Sequence, residues 1–174
     1  MMSIRKLLAP DLDAALSIIN EAAQAYRGVI PADRWHEPYM PRDELEAEIA
    51  NGVMFRVAEE DGLLSGVMGI QDKGAVALVR HAYVAPTVQR KGVGTMLLHH
   101  VASLTEQPLL IGTWADAFWA IDFYRRNGFE LVTEKDKASL LRKYWSIPER
   151  QIETSVVLAD RRWMDTRRQA EAEG

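Results

Sequence analysis

The spacing of the hydrophobic residues changes after the first two predicted helices, and the change limits the folds that the chain can adopt. Apolar residues from Leu12 to Tyr26 recur at helical spacing, with Asp11 as the expected N-cap. A second helix is predicted from Arg42 to Asn51. Beyond that helix, apolar and polar residues alternate, which is typical of half-buried strands. A chain with this pattern is expected to form a mixed α/β (α+β) domain.

The order of the later segments predicts the architecture of the sheet. Two strands joined by a tight turn form a hairpin, a third strand follows, and strands then alternate with helices. The predicted strands cover 53–59, 63–70, 75–84, 109–113, 129–133 and 153–159, and the later helices cover 92–105, 117–127 and 136–145. This order predicts a mostly antiparallel central sheet flanked by helices, with one parallel crossover. We predict a single domain over residues 1–160 and a polar tail over residues 161–174.

Composition excludes several classes of protein. The 174 residues are 48% hydrophobic and 26% charged, and no apolar run approaches the roughly 20 residues that span a bilayer. The absence of cysteine excludes a disulfide framework, a thiolate metal site and a cysteine nucleophile. His99 and His100 are adjacent and do not share a helix face, so no metal site is predicted. A net charge of −4 and the lack of a secretory signal favour a cytoplasmic protein without nucleic-acid or membrane partners.

The turn from Val84 to Thr95, between a predicted strand and a predicted helix, is the most informative segment. Glycines at a helix start let backbone amides approach a ligand, and the helix N-terminus offers unpaired donors and partial positive charge to phosphate oxygens. A dinucleotide fingerprint fits poorly because Leu97 stands where glycine or alanine is needed, and the chain has no P-loop. What remains is Gln-x-x-Gly-x-Gly, with an ordinary glycine-softened helix start as the alternative.

This segment resembles the signature of the GNAT superfamily, the acetyl-CoA-dependent N-acetyltransferases, which is Gln/Arg-x-x-Gly-x-Gly/Ala between a strand and a helix. The strand before it ends Ala-Tyr-Val-Ala-Pro, similar to the family's apolar-x-Val-x-Pro, and the helix begins Gly-Thr-Met-Leu-Leu, similar to Gly-x-x-Leu-Leu. Residues 120–129, AIDFYRRNGF, resemble the family's Ala-x-x-x-Tyr-x-x-x-Gly-Phe. The resemblance covers about residues 3–133 in element order and is specific over 79–98 and 117–131.

The resemblance implies where the co-substrate acetyl-CoA binds. Backbone amides of the turn are expected to cradle the pyrophosphate, and the end of the preceding strand to pair with the pantetheine arm and polarise the thioester carbonyl. An ordinary buried strand end is the alternative for that strand. The implied acetyl-CoA-binding residues are Tyr83, Val84, Gln89, Arg90, Lys91, Gly92, Val93, Gly94 and Thr95. Ala117 departs from the family, in which many members carry an asparagine there that contacts the cofactor.

Two residues are candidates for proton transfer. The resemblance implies that Tyr124 protonates, or donates a hydrogen bond to, the departing thiolate, with a core tyrosine as the alternative. Acetyl transfer needs an uncharged amine, and His81 is the candidate base because it shares a strand face with Tyr83. Some family members place a glutamate on this strand, whereas residues 76–84 contain no carboxylate. The weaker base candidates, predicted on later strands, are Glu134 and Glu153.

An aromatic-rich segment between the first two helices predicts part of an acceptor site. In the family this loop covers the acceptor, and several aromatic side chains in one loop are costly to expose. Core and loop packing is the alternative for each of them. The predicted acceptor-binding residues are Trp35, Tyr39 and Trp114.

The leading hypothesis is an N-acetyltransferase that moves an acetyl group from acetyl-CoA to a primary amine by direct attack in a ternary complex. The acceptor is either a small molecule or a protein amine. One alternative is a non-catalytic acyl-CoA-binding sensor or interaction module, which the missing strand carboxylate and Ala117 favour. Another is an unrelated phosphate-binding domain that shares the turn. Relatives are often dimers, and the last strand is a candidate pairing edge for a homodimer.

Overall fold

The computed structural model describes residues 1–89 and 91–174, and Arg90 lies outside the described residues. The strands are β1 (Ser3–Lys6), β2 (Val53–Glu60), β3 (Leu63–Asp72), β4 (Ala77–Val84), β5 (Leu109–Trp114), β6 (Glu130–Leu131) and β7 (Ser155–Ala159). The helices are α1 (Leu12–Ala23), α2 (Arg42–Ala50), α3 (Val93–Ser103), α4 (Phe118–Arg126), α5 (Glu134–Tyr144), α6 (Glu149–Glu153) and α7 (Arg161–Glu173).

Among the described residues, the strands form one sheet in the order β1-β2-β3-β4-β5-β7-β6. The sheet is mostly antiparallel and contains one parallel pair, β4 and β5. Helices flank it, so the predicted mixed α/β fold with one parallel crossover is confirmed. By its internal contacts the chain divides into two units, residues 1–72 with 79–106 and residues 73–78 with 107–174.

The first unit contains the hairpin of β2 and β3, with β1 paired to the outer side of β2. Asp61 and Gly62, both at positive φ, form the tight turn between β2 and β3. The backbone amide of Ala85, just after β4, donates to the carbonyl of Ser65 at 2.8 Å, which ties the end of β4 to β3. The buried core of this unit includes Ile18, Ile19, Leu45, Val57 and Val67.

Helix α3 packs directly against β3 because Gly66 has no side chain. A Cβ added to Gly66 would lie 2.8 Å from Cδ1 of Leu97 and 3.0 Å from Cγ1 of Val93. Both partners are buried residues of α3, and Val93 is its first residue. Gly66 therefore fixes how closely the N-terminal turn of α3 approaches the sheet.

In the second unit, β5 pairs antiparallel with β7, and β6 pairs with the other side of β7. The amide of Ala77, at the start of β4, donates to the carbonyl of Pro108 at 2.9 Å. Gly112 on β5 leaves room for the ring of Trp145, whose Cζ2 would lie 3.1 Å from an added Cβ. The buried core here includes Val76, Leu78, Leu110, Leu141, Ile152 and Val157.

Residues 161–173, which lie in the predicted polar tail, form helix α7. Asp160 caps the helix, since its carboxylate accepts from the amide of Trp163 at 3.1 Å. Trp163 and Met164 then pack against the buried core of the second unit. Arg167 binds the carboxylate of Asp136 on α5 at 3.1 Å. These contacts hold α7 against the second unit, although its polar composition alone predicts a solvent-exposed segment.

The last strand is not a pairing edge, which corrects the basis for a homodimer through it. β7 lies between β5 and β6, and all five of its residues pair with β5. On its other side Leu158 and Ala159 pair with β6. The sequence also did not predict β1 or the short helix α6.

Asp11 does not cap α1 as predicted. Its backbone is already helical, at φ −85° and ψ −10°, and its side chain makes no capping hydrogen bond to α1. The carboxylate instead accepts from the guanidinium of Arg5 at 2.7 and 3.0 Å and from the amide of Leu8 at 2.8 Å. The hydrogen bonds from Arg5 lower the pKa of Asp11 below its ordinary value.

Within the described part of the chain, no helix is both long and apolar enough to cross a membrane. The same residues contain no group of three or more histidine, aspartate or glutamate side chains arranged to hold a metal ion. His99 is exposed and His100 is half-buried, both on α3.

Candidate active site

The end of β4 and the turn after it form a folded connection to α3. Residues Pro86–Val88 make a single 3-10 turn, and the amide of Val88 donates to the carbonyl of Ala85 at 3.0 Å. The side-chain amide of Gln89 reaches back to the carbonyl of Val84 at 3.3 Å. Gln89 therefore holds the turn against the end of β4, a structural role that the sequence did not predict.

Gly92 sets the start of α3. It lies at φ +82° and ψ 8°, in the left-handed region that glycine adopts without strain. The first helical hydrogen bond runs from the amide of Met96 to the carbonyl of Gly92 at 3.0 Å. The amides of Val93, Gly94 and Thr95 precede this bond, so they have no acceptor within their own helix. Lys91 beside them is exposed, and Arg90 lies outside the described residues.

His81 adopts a conformation that is unusual for a residue inside a strand. Its φ is +54°, in the left-handed region, where a residue with a Cβ is strained. The prediction that His81 and Tyr83 share a face assumed extended backbone throughout β4, and the face rule does not hold across a left-handed residue. The imidazole lies beside the ring of Phe55, with 5.9 Å between ring centroids.

A carboxylate that the sequence analysis missed lies against His81. Oε2 of Glu48, on α2, is 2.6 Å from Nε2 of His81 and 3.5 Å from Nη2 of Arg80. The carboxylates that the sequence indicated were expected on strands, whereas Glu48 lies on a helix, 33 residues from His81 in sequence. The available signal was its spacing: Glu48 follows the buried Leu45 by three residues, which places an acid on the inward face of α2.

Arg80 is in turn held by a buried amide. Its Nη1 donates to Oε1 of Gln71 at 3.1 Å, and Nε2 of Gln71 donates to the carbonyl of Asn51 at 3.0 Å. Gln71 is buried, so its side chain has little freedom to rearrange. Polar contacts thus run from the loop after α2, through β3 and β4, back to Glu48.

The predicted acceptor residues Trp35 and Tyr39 lie in one aromatic cluster. Their rings stack at 5.7 Å between centroids, and the ring of Tyr26 lies 5.6 Å from that of Tyr39. Tyr26 also contacts Tyr83 on β4, edge-on at 6.4 Å. The structure therefore connects two predicted acceptor residues to a predicted acetyl-CoA-binding residue through Tyr26.

The remaining candidates lie in the second unit. Tyr124 is buried on α4, and its ring makes edge contacts with Phe123 and Phe129 at 5.1 and 5.9 Å between centroids. Trp114 ends β5, and its carbonyl accepts from the amide of Ala117 at 3.0 Å. Ala117 is fully buried where many family members carry asparagine.

The weaker base candidates do not lie on strands, which corrects their predicted position. Glu134 is the first residue of α5 and is largely exposed, with its carboxylate 2.7 Å from Nζ of Lys137. Glu153 is the last residue of α6 and is exposed. Neither glutamate therefore lies on a strand, where the sequence analysis predicted a base.

Comparison with known proteins supports the interpretation of β4, the turn after it and α3. Residues 51–131 match the family model described as an acetyltransferase (GNAT) domain. A PaiA N-acetyltransferase from Thermoplasma acidophilum, solved in complex with coenzyme A, has a similar structure, with a TM-score of 0.71 and 18% sequence identity. That alignment covers 92% of this chain and 98% of the other.

Two further solved structures have the same fold. The ribosomal-protein-S18-alanine N-acetyltransferase from Escherichia coli has a TM-score of 0.65 and 20% identity, over 92% of this chain and 93% of the other. N-acetylglutamate synthase from Neisseria gonorrhoeae, solved with coenzyme A and N-acetyl-glutamate, has a TM-score of 0.63 and 19% identity, over 92% of this chain and 35% of the other. None of the curated proteins matches the chain in sequence.

These results show a shared fold and a match to one family domain. The fold is that of the acetyltransferases above, and the family match covers the segment from β2 to β6. The match over residues 51–131 to the GNAT domain agrees with the resemblance that the turn showed. At these low identities the structural likeness itself shows the fold alone.

Proposed function

We propose that this chain is an N-acetyltransferase that moves the acetyl group of acetyl-CoA to a primary amine by direct attack in a ternary complex. The observation that carries the proposal is the start of α3, where left-handed Gly92 is followed by three amides without an acceptor in their helix. This start lies within the segment that matches the GNAT domain. Such a helix N-terminus suits the diphosphate of coenzyme A.

Features of the first unit support binding of the co-substrate. Lys91 adds an exposed positive charge beside the amides of Val93, Gly94 and Thr95. By resemblance, we assign the pantetheine arm and thioester carbonyl to the end of β4, at Tyr83 and Val84. Two of the similar structures were solved with coenzyme A, which supports the same co-substrate here.

The proposed transfer requires two proton movements. A bond forms between the amine nitrogen and the carbonyl carbon, and the carbon–sulfur bond of the thioester breaks. The amine loses a proton, and we assign His81 as the base that accepts it. The departing thiolate gains a proton, and we assign Tyr124 as the acid that donates it. Backbone donors near Val84 stabilise the oxygen on which negative charge develops. The chain contains no cysteine, so a cysteine-bound acyl intermediate is excluded.

A non-catalytic acyl-CoA-binding module is the alternative, and the structure weakens one argument for it. That argument was the lack of a carboxylate on residues 76–84. Glu48 on α2 supplies a carboxylate at 2.6 Å from His81, so β4 does not need its own. Ala117 is the remaining departure from the family pattern.

The acceptor is proposed to be a small-molecule or protein amine that contacts Trp35, Tyr39 and Trp114. The similar enzymes act on different amines by their names, one of them on an alanine of a ribosomal protein. We also propose a cytoplasmic location and a homodimer. Cell fractionation and light scattering of the purified chain test these two points.

The absence of cysteine makes the activity simple to measure. A thiol-reactive chromogen reports only released coenzyme A, because the protein contributes no thiol. We expect thiol release from acetyl-CoA that depends on an added primary amine, in a panel of small amines and peptides with free amino groups. Calorimetry is expected to show binding of coenzyme A and none of NAD or ATP.

The outcomes separate the hypotheses. Tight binding of coenzyme A without amine-dependent thiol release across the panel would favour the non-catalytic module. A chain that does not bind coenzyme A at all would overturn both, and would leave the glycine turn as an ordinary helix start.

A further inference from the structure

We propose that Glu48 is a positioning residue that holds His81 in the tautomer and orientation needed for acetyl transfer. The inference rests on the function proposed above and concerns an interaction that neither the family motifs nor the sequence pattern indicated. The observation that carries it is the 2.6 Å contact between Oε2 of Glu48 and Nε2 of His81.

The chemistry of the two groups determines where the proton lies. An ionised carboxylate only accepts hydrogen bonds, so a bond to Nε2 requires that Nε2 carry the hydrogen. In the neutral imidazole, Nδ1 of His81 then carries the lone pair and is the atom that accepts a proton from the amine. When the imidazole takes up that proton, the carboxylate also stabilises the resulting positive charge.

Burial makes this contact more effective than a surface ion pair. The side chain of His81 is 17% exposed and that of Glu48 is 20% exposed. Solvent therefore screens the pair less than it screens the exposed pairs of this chain, such as that of Arg42 with Glu46. The pair lies between α2 and the sheet, with the ring of Phe55 beside the imidazole.

A second contact fixes Glu48 itself. Nη2 of Arg80 lies 3.5 Å from the same carboxylate oxygen, and Gln71 holds the other arm of that guanidinium. Arg80 and His81 are adjacent in β4, so one carboxylate on α2 binds two successive residues of the strand. Such a double contact resists rotation of the Glu48 side chain.

The backbone of His81 gives an independent reason for a positioning contact. A non-glycine residue at φ +54° is strained, and such strain persists only where the surroundings hold the residue in place. Glu48 and Phe55 both contact the imidazole. Loss of the carboxylate is therefore expected to free the imidazole.

Substitution of Glu48 separates positioning from binding. We expect Glu48→Gln to lower kcat about 100-fold, the lower range of what a positioned base contributes, with KM for acetyl-CoA within about twofold of the wild type. Glu48→Asp is expected to recover part of the lost kcat, because it keeps the charge one carbon further back. Glu46→Gln, an exposed glutamate on the same helix, is the matched control and is expected to leave kcat unchanged.

A double variant tests whether the two residues act together. If Glu48 acts through His81, then Glu48→Gln should have little further effect on kcat when His81→Gln is already present. Independent effects that multiply would overturn the inference. Circular dichroism and thermal unfolding show whether each variant is folded, and Glu48→Asp provides the test if Glu48→Gln is not.

A spectroscopic measurement tests the tautomer without any activity. In protein labelled with ¹⁵N-histidine, we expect the neutral imidazole of His81 to carry its proton on Nε2 and its lone pair on Nδ1, with the assignment made from His81→Gln. A proton on Nδ1 instead would overturn the inference even in an active enzyme. Wild-type kcat in Glu48→Gln would overturn it as well. Failure of amine-dependent thiol release in the wild type counts against the proposed function, a result separate from the tautomer.

Discussion

Replacement of Gly92 by alanine tests whether the start of α3 binds the diphosphate. At φ +82° an L-residue is strained, and the cost is about 1–2 kcal/mol. A Cβ built on Gly92 meets no other described atom within 4 Å, so steric clash adds nothing to this cost. For a chain of this length, 1–2 kcal/mol lowers Tm by about 2–8 °C.

The effect on binding is expected to be larger than the effect on folding. An alanine that relaxes toward negative φ turns the next amides away from their present direction. Loss of one hydrogen bond to a charged phosphate oxygen weakens binding by about 1.5–3 kcal/mol, which raises the Kd of coenzyme A by about 10- to 150-fold. Titration calorimetry with coenzyme A measures the change.

Gly62 provides a matched control for the same substitution. It lies at φ +80° in the turn between β2 and β3, and an added Cβ there also meets no described atom within 4 Å. Gly62→Ala is therefore expected to lower Tm as much as Gly92→Ala while leaving the Kd of coenzyme A unchanged. If the two variants lost equal stability and both bound coenzyme A like the wild type, the assignment of the diphosphate to this helix start would be refuted.

Three other substitutions probe the packing, the charge and the chemistry. Gly66→Ala places a Cβ 2.8 Å from Leu97, so overpacking is expected to destabilise the fold by about 1–3 kcal/mol in denaturant unfolding. The pKa of Asp11 is lowered by its pairing with Arg5, so this pairing stabilises the fold at pH values above the ordinary aspartate pKa of about 3.9. The stabilisation is lost as the pH falls below that value. Asp11→Asn is therefore expected to be less stable than the wild type at pH 7 and to lose less stability on acidification. Tyr124→Phe keeps the aromatic contacts and removes the hydroxyl, so thiol release should slow about 100-fold while coenzyme A binding is retained. Undiminished turnover would exclude the proposed acid.

The elements with clear periodicity were predicted to within a few residues. Helix α2 and the hairpin of β2 and β3 are examples: Leu45 and Ile49 lie one helical turn apart in α2, and apolar residues alternate along β2. β1 has four residues, and it forms because its backbone pairs with β2, which no local pattern indicates. The polar composition of residues 161–173 did not predict α7, although Trp163 and Met164 pack the helix on the core.

One part of the candidate site could be predicted from the sequence and another part could not. The turn at Gly92 was predictable because the residues that form a helix N-terminus are adjacent in sequence, so one motif contains them all. The pairing of Glu48 with His81 was not, because it depends on how α2 packs against β4. A short polar contact between distant segments has no local signature beyond an acid on an inward helix face.

His81 shows why the strand rule failed at this position in particular. Alternation of faces describes β4 only where the backbone is extended, and His81 is left-handed. Elsewhere in this chain the left-handed positions are glycines, apart from Asp61 in a tight turn, among the residues described. A histidine held in such a conformation by a carboxylate and an aromatic ring is a local conflict with strand geometry. Natural sequences keep such conflicts mainly where function requires them, which is why the strain at His81 supports its proposed role as the base.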